Sequence, residues 1–166
     1  MPTLVRCAGP DGPGITAAVL AAVEAAGATL IEMDQLVVRG RLTLDLLVEA
    51  GAGGTALADG LAVVASERGL DVSLEPGPDA AAAPVAVGPG AVVTVMAERL
   101  GAAALAAVTG AIATSGGNIA RIQRLAHRPV CAFEFHVAGG DPATLRSVLV
   151  DAAAAHGVDV AVQADR

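Results

Sequence analysis

The chain has 166 residues, of which 54% are hydrophobic and 16% charged, and it carries a net charge of −7. This balance excludes a disordered chain and disfavours nucleic acid or an anionic membrane as the main partner. All ten cationic side chains are arginines, so the sequence lacks the lysine that a Schiff base or a P-loop requires.

The first half of the chain predicts the element order β-α-β-β-α-β. A short apolar strand at 4–8 runs into the loop GPDGPG, and a helix follows that ends at Gly27. Two strands at about 29–38 and 42–49, a second helix and a strand at 71–75 complete the unit. The predicted core positions are Ile15, Val19, Val23, Leu42, Leu44, Leu46, Val48, Leu57, Leu61 and Val64.

The second half repeats the first. Residues 3–50 align without a gap on residues 92–139, and Gly27 then falls on Gly116. The uncharged run at 100–120 is long enough to span a bilayer, but its helical spacing ends near Thr114, which predicts a buried helix followed by a turn. Asp141 and Pro142 predict the start of the last helix. The predicted core positions are Leu105, Val108, Ile112, Cys131, Phe133, Phe135, Val137, Leu145 and Leu149.

Each copy predicts an antiparallel sheet with both helices on one face. The fold class is therefore α+β, with two tandem ferredoxin-like βαββαβ domains. We expect domain 1 at 1–76, a linker rich in proline and glycine at 77–90, and domain 2 at 91–166. Leu47, on the uncovered sheet face, predicts contact with another domain or subunit. The N-terminus lacks the pattern of a signal peptide, and Cys7 and Cys131 read as reduced core residues, so we expect a cytoplasmic protein.

The loop at 9–16 is the candidate site. Its three glycines allow unusual backbone angles, and the start of the next helix offers free N–H groups to a carboxylate or another small anion. Ile15 stands where a P-loop has its lysine, which disfavours nucleotide phosphate. Asp11 can meet an ammonium group, so the loop suits a zwitterionic amino acid. The alternative is a glycine-rich turn, capped by Asp11, that binds nothing.

The segment Asp11-Gly12-Pro13-Gly14-Ile15 resembles the D-R-P-G-[IV] signature of ACT domains, small-molecule-binding regulatory modules of amino-acid metabolism. Residues 37–44 and 116–122 resemble the tandem ACT domains in the regulatory region of actinobacterial phosphoserine phosphatases. The resemblance implies that a small amino acid, L-serine or glycine, binds between the first loop of one ACT domain and the second strand of another. It also implies a homodimer formed through the ACT domains. The positions that match the family's binding pattern are Asp11, Gly12, Pro13, Gly14, Ile15, Thr16, Asn118 and Ile119.

The chain departs from the family pattern at two places. Gly12 replaces the arginine of the signature, and the loop of the second copy, at 98–103, has lost the signature, so we expect one binding loop per chain. Asn118 has an alternative role as a turn residue after Gly116 and Gly117.

The sequence predicts no catalytic residues, because it lacks the D-x-D-x-[ST] motif of the phosphatases. The alternative to a phosphatase regulatory region is a freestanding tandem ACT regulator that resembles the glycine cleavage system transcriptional repressor. A D-x-D-x-[ST] segment following Arg166 in the reading frame would distinguish the two.

The remaining polar residues predict neither a metal nor a cofactor. His127, His136 and His156 have no ligand spacing among themselves or with the cysteines. Three arginines are expected on the second strand of the second copy, either as a solvated edge or as an ion-pair set with acidic residues of the first copy. The arginines are Arg121, Arg124 and Arg128, and the acidic residues are Glu32, Asp34 and Asp45.

Overall fold

The computed structural model describes residues 1–78 and 90–164. The described residues divide into two compact units, 1–78 and 90–164. Most of the predicted linker at 77–90 lies outside the described residues. The first unit contains β1 (Pro2–Pro10), α1 (Ile15–Ala25), β2 (Thr29–Val38), β3 (Arg41–Glu49), a 3-10 turn (Gly51–Gly53), α2 (Gly54–Arg68) and β4 (Asp71–Pro76).

The second unit repeats this order. It contains β5 (Ala91–Ala97), α3 (Ala102–Thr114), β6 (Asn118–Ala126), β7 (Cys131–Ala138), α4 (Pro142–His156) and β8 (Asp159–Ala164). The uncharged run at 100–120 is therefore a helix and a turn leading into a strand. No helix within the described ranges combines the length and the apolar character needed to cross a membrane.

Each unit has one four-stranded sheet with antiparallel pairing throughout. The strand order is β2-β3-β1-β4 in the first unit and β6-β7-β5-β8 in the second. This is the ferredoxin-like topology, which confirms the predicted fold class. The order leaves β2 and β6 as edge strands, each bonded to a neighbour on one side only.

Side-chain alternation explains why the helices cover one face. In β3, Leu42, Leu44, Leu46 and Val48 are all 2% exposed or less, and they pack with the apolar stripes of both helices of their unit. In the second unit Phe135 and Val137 do the same. The predicted core positions are confirmed with three exceptions: Leu105, Cys131 and Phe133 are only half-buried.

Leu47 differs from its prediction. It lies on the sheet face opposite the helices, yet it is only 8% exposed. The chain leaving β4 covers it: the Gly77 amide donates to the Pro2 carbonyl at 2.9 Å, and a β-carbon on Gly77 would lie 2.5 Å from Leu47 Cδ1. Leu47 is therefore buried within its own unit and needs no partner to cover it.

Helix α4 begins at an N-cap that the sequence predicts. The Thr144 amide donates to the Asp141 carboxylate at 2.8 Å, and Pro142 is the first helical residue. This backbone hydrogen bond, followed by that from the Thr144 hydroxyl, lowers the pKa of Asp141 below its ordinary value of 3.8. The carboxylate form thus stabilises the folded state.

We expect Asp141→Ala to lower the thermal unfolding midpoint of the second unit at pH 7. Because the pKa in the folded state lies below that of the unfolded state, the contribution of Asp141 is complete above about pH 4 and is lost as the pH falls through the folded pKa. The difference between wild type and variant should therefore shrink on acidification. Circular dichroism melts at pH 7 and pH 3 measure it, with Asp151→Ala, an exposed position on the same helix, as the control. If wild type and Asp141→Ala differed in unfolding midpoint by the same amount at both pH values, the Asp141 carboxylate would not be the stabilising cap.

Candidate functional site

The loop between β1 and α1 lies against the hairpin that joins β2 to β3. The Asp11 amide donates to the Gly40 carbonyl at 2.9 Å, which holds the loop beside the end of β2. Asp11, Pro13 and Gly14 are exposed. These three of the predicted loop residues are thus on the surface of the first unit.

Helix α1 begins without a side-chain cap. Gly14 is its N-cap residue, with φ +80°, and no side-chain hydrogen bond caps the helix there. The first amides of a helix have no partner inside it, and they carry the positive end of the helix dipole. Asp11 therefore does not cap the helix, so the predicted alternative of a turn capped by Asp11 is wrong in that respect. Asp11 is exposed, and it precedes the first helical residue, Ile15, by four positions.

The two predicted residues at the start of α1 have different surroundings. Ile15 is 5% exposed and belongs to the core, so only its backbone can face a ligand. The Thr16 hydroxyl donates to Gln35 Oε1 at 2.7 Å. That bond ties the first turn of α1 to β2.

The three glycines of the loop differ in backbone conformation and in the space around them. Only Gly14 has a left-handed backbone, and a β-carbon there would meet nothing within 4 Å. A β-carbon on Gly9 would lie 2.6 Å from Leu70 Cδ2 and 2.9 Å from the Gly69 carbonyl oxygen, so Gly9 serves packing inside the unit. A β-carbon on Gly12 would contact Ile15 Cδ1 at 3.8 Å, an ordinary distance, so space for a β-carbon does not require glycine at position 12.

Asn118 and Ile119 lie in the second unit, at the beginning of β6. Asn118 is exposed and pairs with Ala138 across the sheet, whereas Ile119 is half-buried against the core. Gly116 takes the left-handed conformation of the turn, with φ +81°. The alternative role of Asn118 as the turn residue is therefore unnecessary.

The loop of the second unit is built differently. Its N-cap residue, Gly101, has an extended backbone with φ −85°. The start of α3 therefore lacks the left-handed N-cap glycine that precedes α1. This loop lines an open crevice together with the β6–β7 hairpin; the charged and imidazole groups there are Glu98, Arg99, His127 and Arg128.

The remaining chemistry-bearing residues include a buried cysteine and a half-buried histidine. Burial raises the pKa of the Cys7 thiol to about 11, with the Asp45 carboxylate as a smaller cause, so Cys7 stays protonated at neutral pH. His136 lies on the outer sheet face, 3.0 Å from Glu134 Oε1. Across residues 1–78 and 90–164, no group of three His, Cys, Asp or Glu side chains is arranged to hold a metal ion.

The predicted arginine and carboxylate sets need two corrections. Strand β6 ends at Ala126, so it carries Arg121 and Arg124 but not Arg128, which lies in the hairpin. Asp45 already has a partner, because Arg6 Nε donates to its Oδ1 at 3.0 Å. Sequence reasoning missed this pair and the contact between Thr16 and Gln35, since both join residues that are distant in the chain.

Comparisons with known proteins agree with this architecture. ACT domain family profiles match residues 2–75 and 90–163. The phosphoserine phosphatase of Streptomyces coelicolor is 37% identical over 99% of this chain, and phosphoserine phosphatase SerB2 of Mycobacterium tuberculosis is 35% identical over 96% of it. The chain spans 40% of the length of each of these relatives.

Solved structures show the same fold over the whole chain. A protein of unknown function from Galdieria sulphuraria has a TM-score of 0.82 at 17% identity, with 99% of this chain and 98% of that chain covered. A candidate glycine cleavage system transcriptional repressor has a TM-score of 0.74 at 16% identity, with 99% and 97% covered.

Proposed function

Because this chain belongs to the ACT domain family, we propose that it is an amino-acid-binding regulatory module with L-serine as its first candidate ligand and glycine as its second. It resembles the N-terminal regulatory part of phosphoserine phosphatase, and we assign it a cytoplasmic role in the control of serine synthesis. The two relatives at 37% and 35% identity support that assignment.

The observation that carries the proposal is the uncapped start of α1 beside Asp11. The first-turn amides after Gly14 can donate to a carboxylate, and the exposed Asp11 carboxylate can accept from an ammonium group. An α-amino acid carries both charges a few ångströms apart. A β-carbon on Gly14 would meet nothing within 4 Å, so the space beside the N-cap is open.

The loop supplies only half of a pocket, since Asp11, Pro13 and Gly14 all face solvent. We assign the other half to Asn118 and Ile119 of an ACT domain from a second copy of the chain. Asn118 is exposed at an edge strand, and its amide group offers both a donor and an acceptor. The form that binds the amino acid is then a homodimer whose sites are completed across the subunit interface.

A ligand shared by two ACT domains regulates by stabilising one arrangement of those domains. The amino acid can shift this equilibrium only by its difference in affinity for the two arrangements. The amides of α1 and the side chain of Asn118 provide that difference. The ligand can contact both of them at once only in the arrangement that brings the two ACT domains together.

Titration calorimetry of the whole chain tests the proposal. We expect L-serine to bind with one site per chain, and ethanolamine and L-lactate, which lack the carboxylate and the amine respectively, to bind at least about tenfold more weakly. A comparison of the affinities for glycine and L-serine shows whether the serine hydroxyl is recognised. Equal binding of L-lactate and L-serine would remove Asp11 from the site, and failure of both amino acids to bind would overturn the proposed ligand class.

A further inference from the structure

The sheet of each unit has a second edge, formed by its last strand. These strands are β4 in the first unit and β8 in the second, and each pairs with a neighbour on one side only. In an antiparallel pair the backbone groups of alternate residues point away from the neighbouring strand. An edge strand therefore offers free N–H and C=O groups to any strand that approaches it, and natural sheets close such edges with charged side chains or proline.

The two last strands differ in these protective residues. Strand β4 carries Asp71 and Glu75 and ends at Pro76. Strand β8 has a single charged residue, Asp159, at its start, and its other five residues are uncharged and include no proline. By its own sequence, β8 is the less protected edge.

An arginine of the neighbouring helix reaches this edge. Arg146, on α4, donates from both Nε and Nη2 to the Val162 carbonyl oxygen, at 3.2 and 3.1 Å. Val162 is the middle residue of the uncharged part of β8. Because Arg146 is exposed, its guanidinium adds a positive charge to this strand and occupies one of its carbonyl groups.

An apolar groove between α4 and β8 lies beside this bond. Arg146 lines it together with Leu149, Val150, Val158 and Val160. The Val150 side chain, one helical turn after Arg146, is 63% exposed. A strand added to β8 would cover part of this apolar surface in addition to forming backbone hydrogen bonds.

The first unit has a different residue at the equivalent position. When Leu57 of α2 is aligned with Leu145 of α4, Ala58 falls on Arg146. The unit whose last strand carries its own charges and a proline thus has alanine there, and the unit whose last strand is nearly uncharged has arginine.

We infer that Arg146 closes the β8 edge against a second copy of this chain, and that without its guanidinium β8 pairs antiparallel with β8 of another chain. Two such strands fit each other, because antiparallel pairing keeps their Asp159 carboxylates at opposite ends. With Arg146 in place, an arriving strand must displace the guanidinium from the Val162 carbonyl. It also brings a second Arg146 to the same seam, and like charges facing each other across strands are destabilising.

Sedimentation velocity of the whole chain tests this inference. Arg146→Met keeps an unbranched side chain and removes the guanidinium. We expect this variant to raise the self-association constant at least about tenfold over that of wild type, with species larger than those of wild type, because the carbonyl loses a hydrogen bond to a charged group. Arg68→Met, which removes the same charge from an exposed position at the end of α2, should sediment as wild type does.

A charge placed on β8 itself should reverse the association. Ala161 is exposed on β8, and lysine on an edge strand opposes strand addition, so Arg146→Met combined with Ala161→Lys should sediment as wild type. The same charge on α4, from Ala155→Lys at another exposed position, should leave the association of Arg146→Met unchanged. Amide hydrogen exchange in residues 159–164 should be slower in associated Arg146→Met than in wild type, because the free edge is then hydrogen-bonded.

Three results would overturn the inference. If Arg146→Met sedimented as wild type, Arg146 would only tie α4 to β8. If Ala161→Lys failed to reverse the association, the contact would lie elsewhere, and if exchange in residues 159–164 became faster, local unfolding would be its cause. The inference goes beyond the proposed function, and these experiments contain no amino acid, so their outcome is separate from that of the calorimetric test.

Discussion

Asp11→Ala is expected to weaken L-serine binding by at least about tenfold, the effect of losing one hydrogen bond to a charged group. The fold should be unaffected, because the Asp11 carboxylate is exposed and does not cap α1, and because the bond to the Gly40 carbonyl uses the backbone amide. Titration calorimetry measures the affinity, and a thermal melt measures the stability.

The matched control is Asp59→Ala, which removes an exposed carboxylate from α2 in the same unit. It should bind L-serine as wild type does. If Asp11→Ala also retains wild-type affinity, the ammonium group of the ligand is held elsewhere, and the loop contributes no charge to the site.

Phe135→Ala is expected to unfold the second unit and leave the first intact. Phe135 is 1% exposed, and it is among the largest fully buried side chains. Removing a buried phenylalanine costs about 3–5 kcal/mol, which approaches the whole stability of a small domain. Among residues 1–78 and 90–164, the core around Phe135 shares no residue with the core of the first unit. Hydrogen exchange should therefore accelerate throughout residues 91–164 and stay slow in the first unit.

Leu44→Ala is the reciprocal variant, since Leu44 is fully buried in β3 of the first unit. We expect this variant to lower the free energy of unfolding of the first unit by about 2–5 kcal/mol. Hydrogen exchange should accelerate in the first unit alone. If either variant accelerated exchange in both units together, the two cores would unfold as one cooperative body.

Much of the fold was predictable because it depends on local periodicity. The two-residue alternation of β3 placed Leu42, Leu44 and Leu46 inward, and Asp141 with Pro142 marked the start of α4; the structure confirms both. Predictions failed where another part of the chain covers a residue. Leu47 looked uncovered because nothing in β3 itself indicates that Gly77 crosses over it.

The candidate site was predictable only as a list of residues. The glycine-rich signature identified the loop, but the three glycines look alike in sequence, and only the backbone separates Gly14, with φ +80°, from Gly9, which packs under Leu70. Thr16 carried no sign of its bond to Gln35, nor Asp45 of its bond to Arg6. Such pairs depend on the order of strands in the sheet.

The amino-acid sequence alone determined the repeat, the element order of each unit and the family. The repeat and the element order follow from hydrophobic spacing, and the family follows from a short motif. The tertiary structure decided which strands are edges, which face each charge occupies and which cations are already taken. Those properties depend on pairing across the sheet: Asp34 lies opposite Asp45 because β2 pairs with β3, and Asp45 bonds Arg6 because β1 pairs with β3 on the other side.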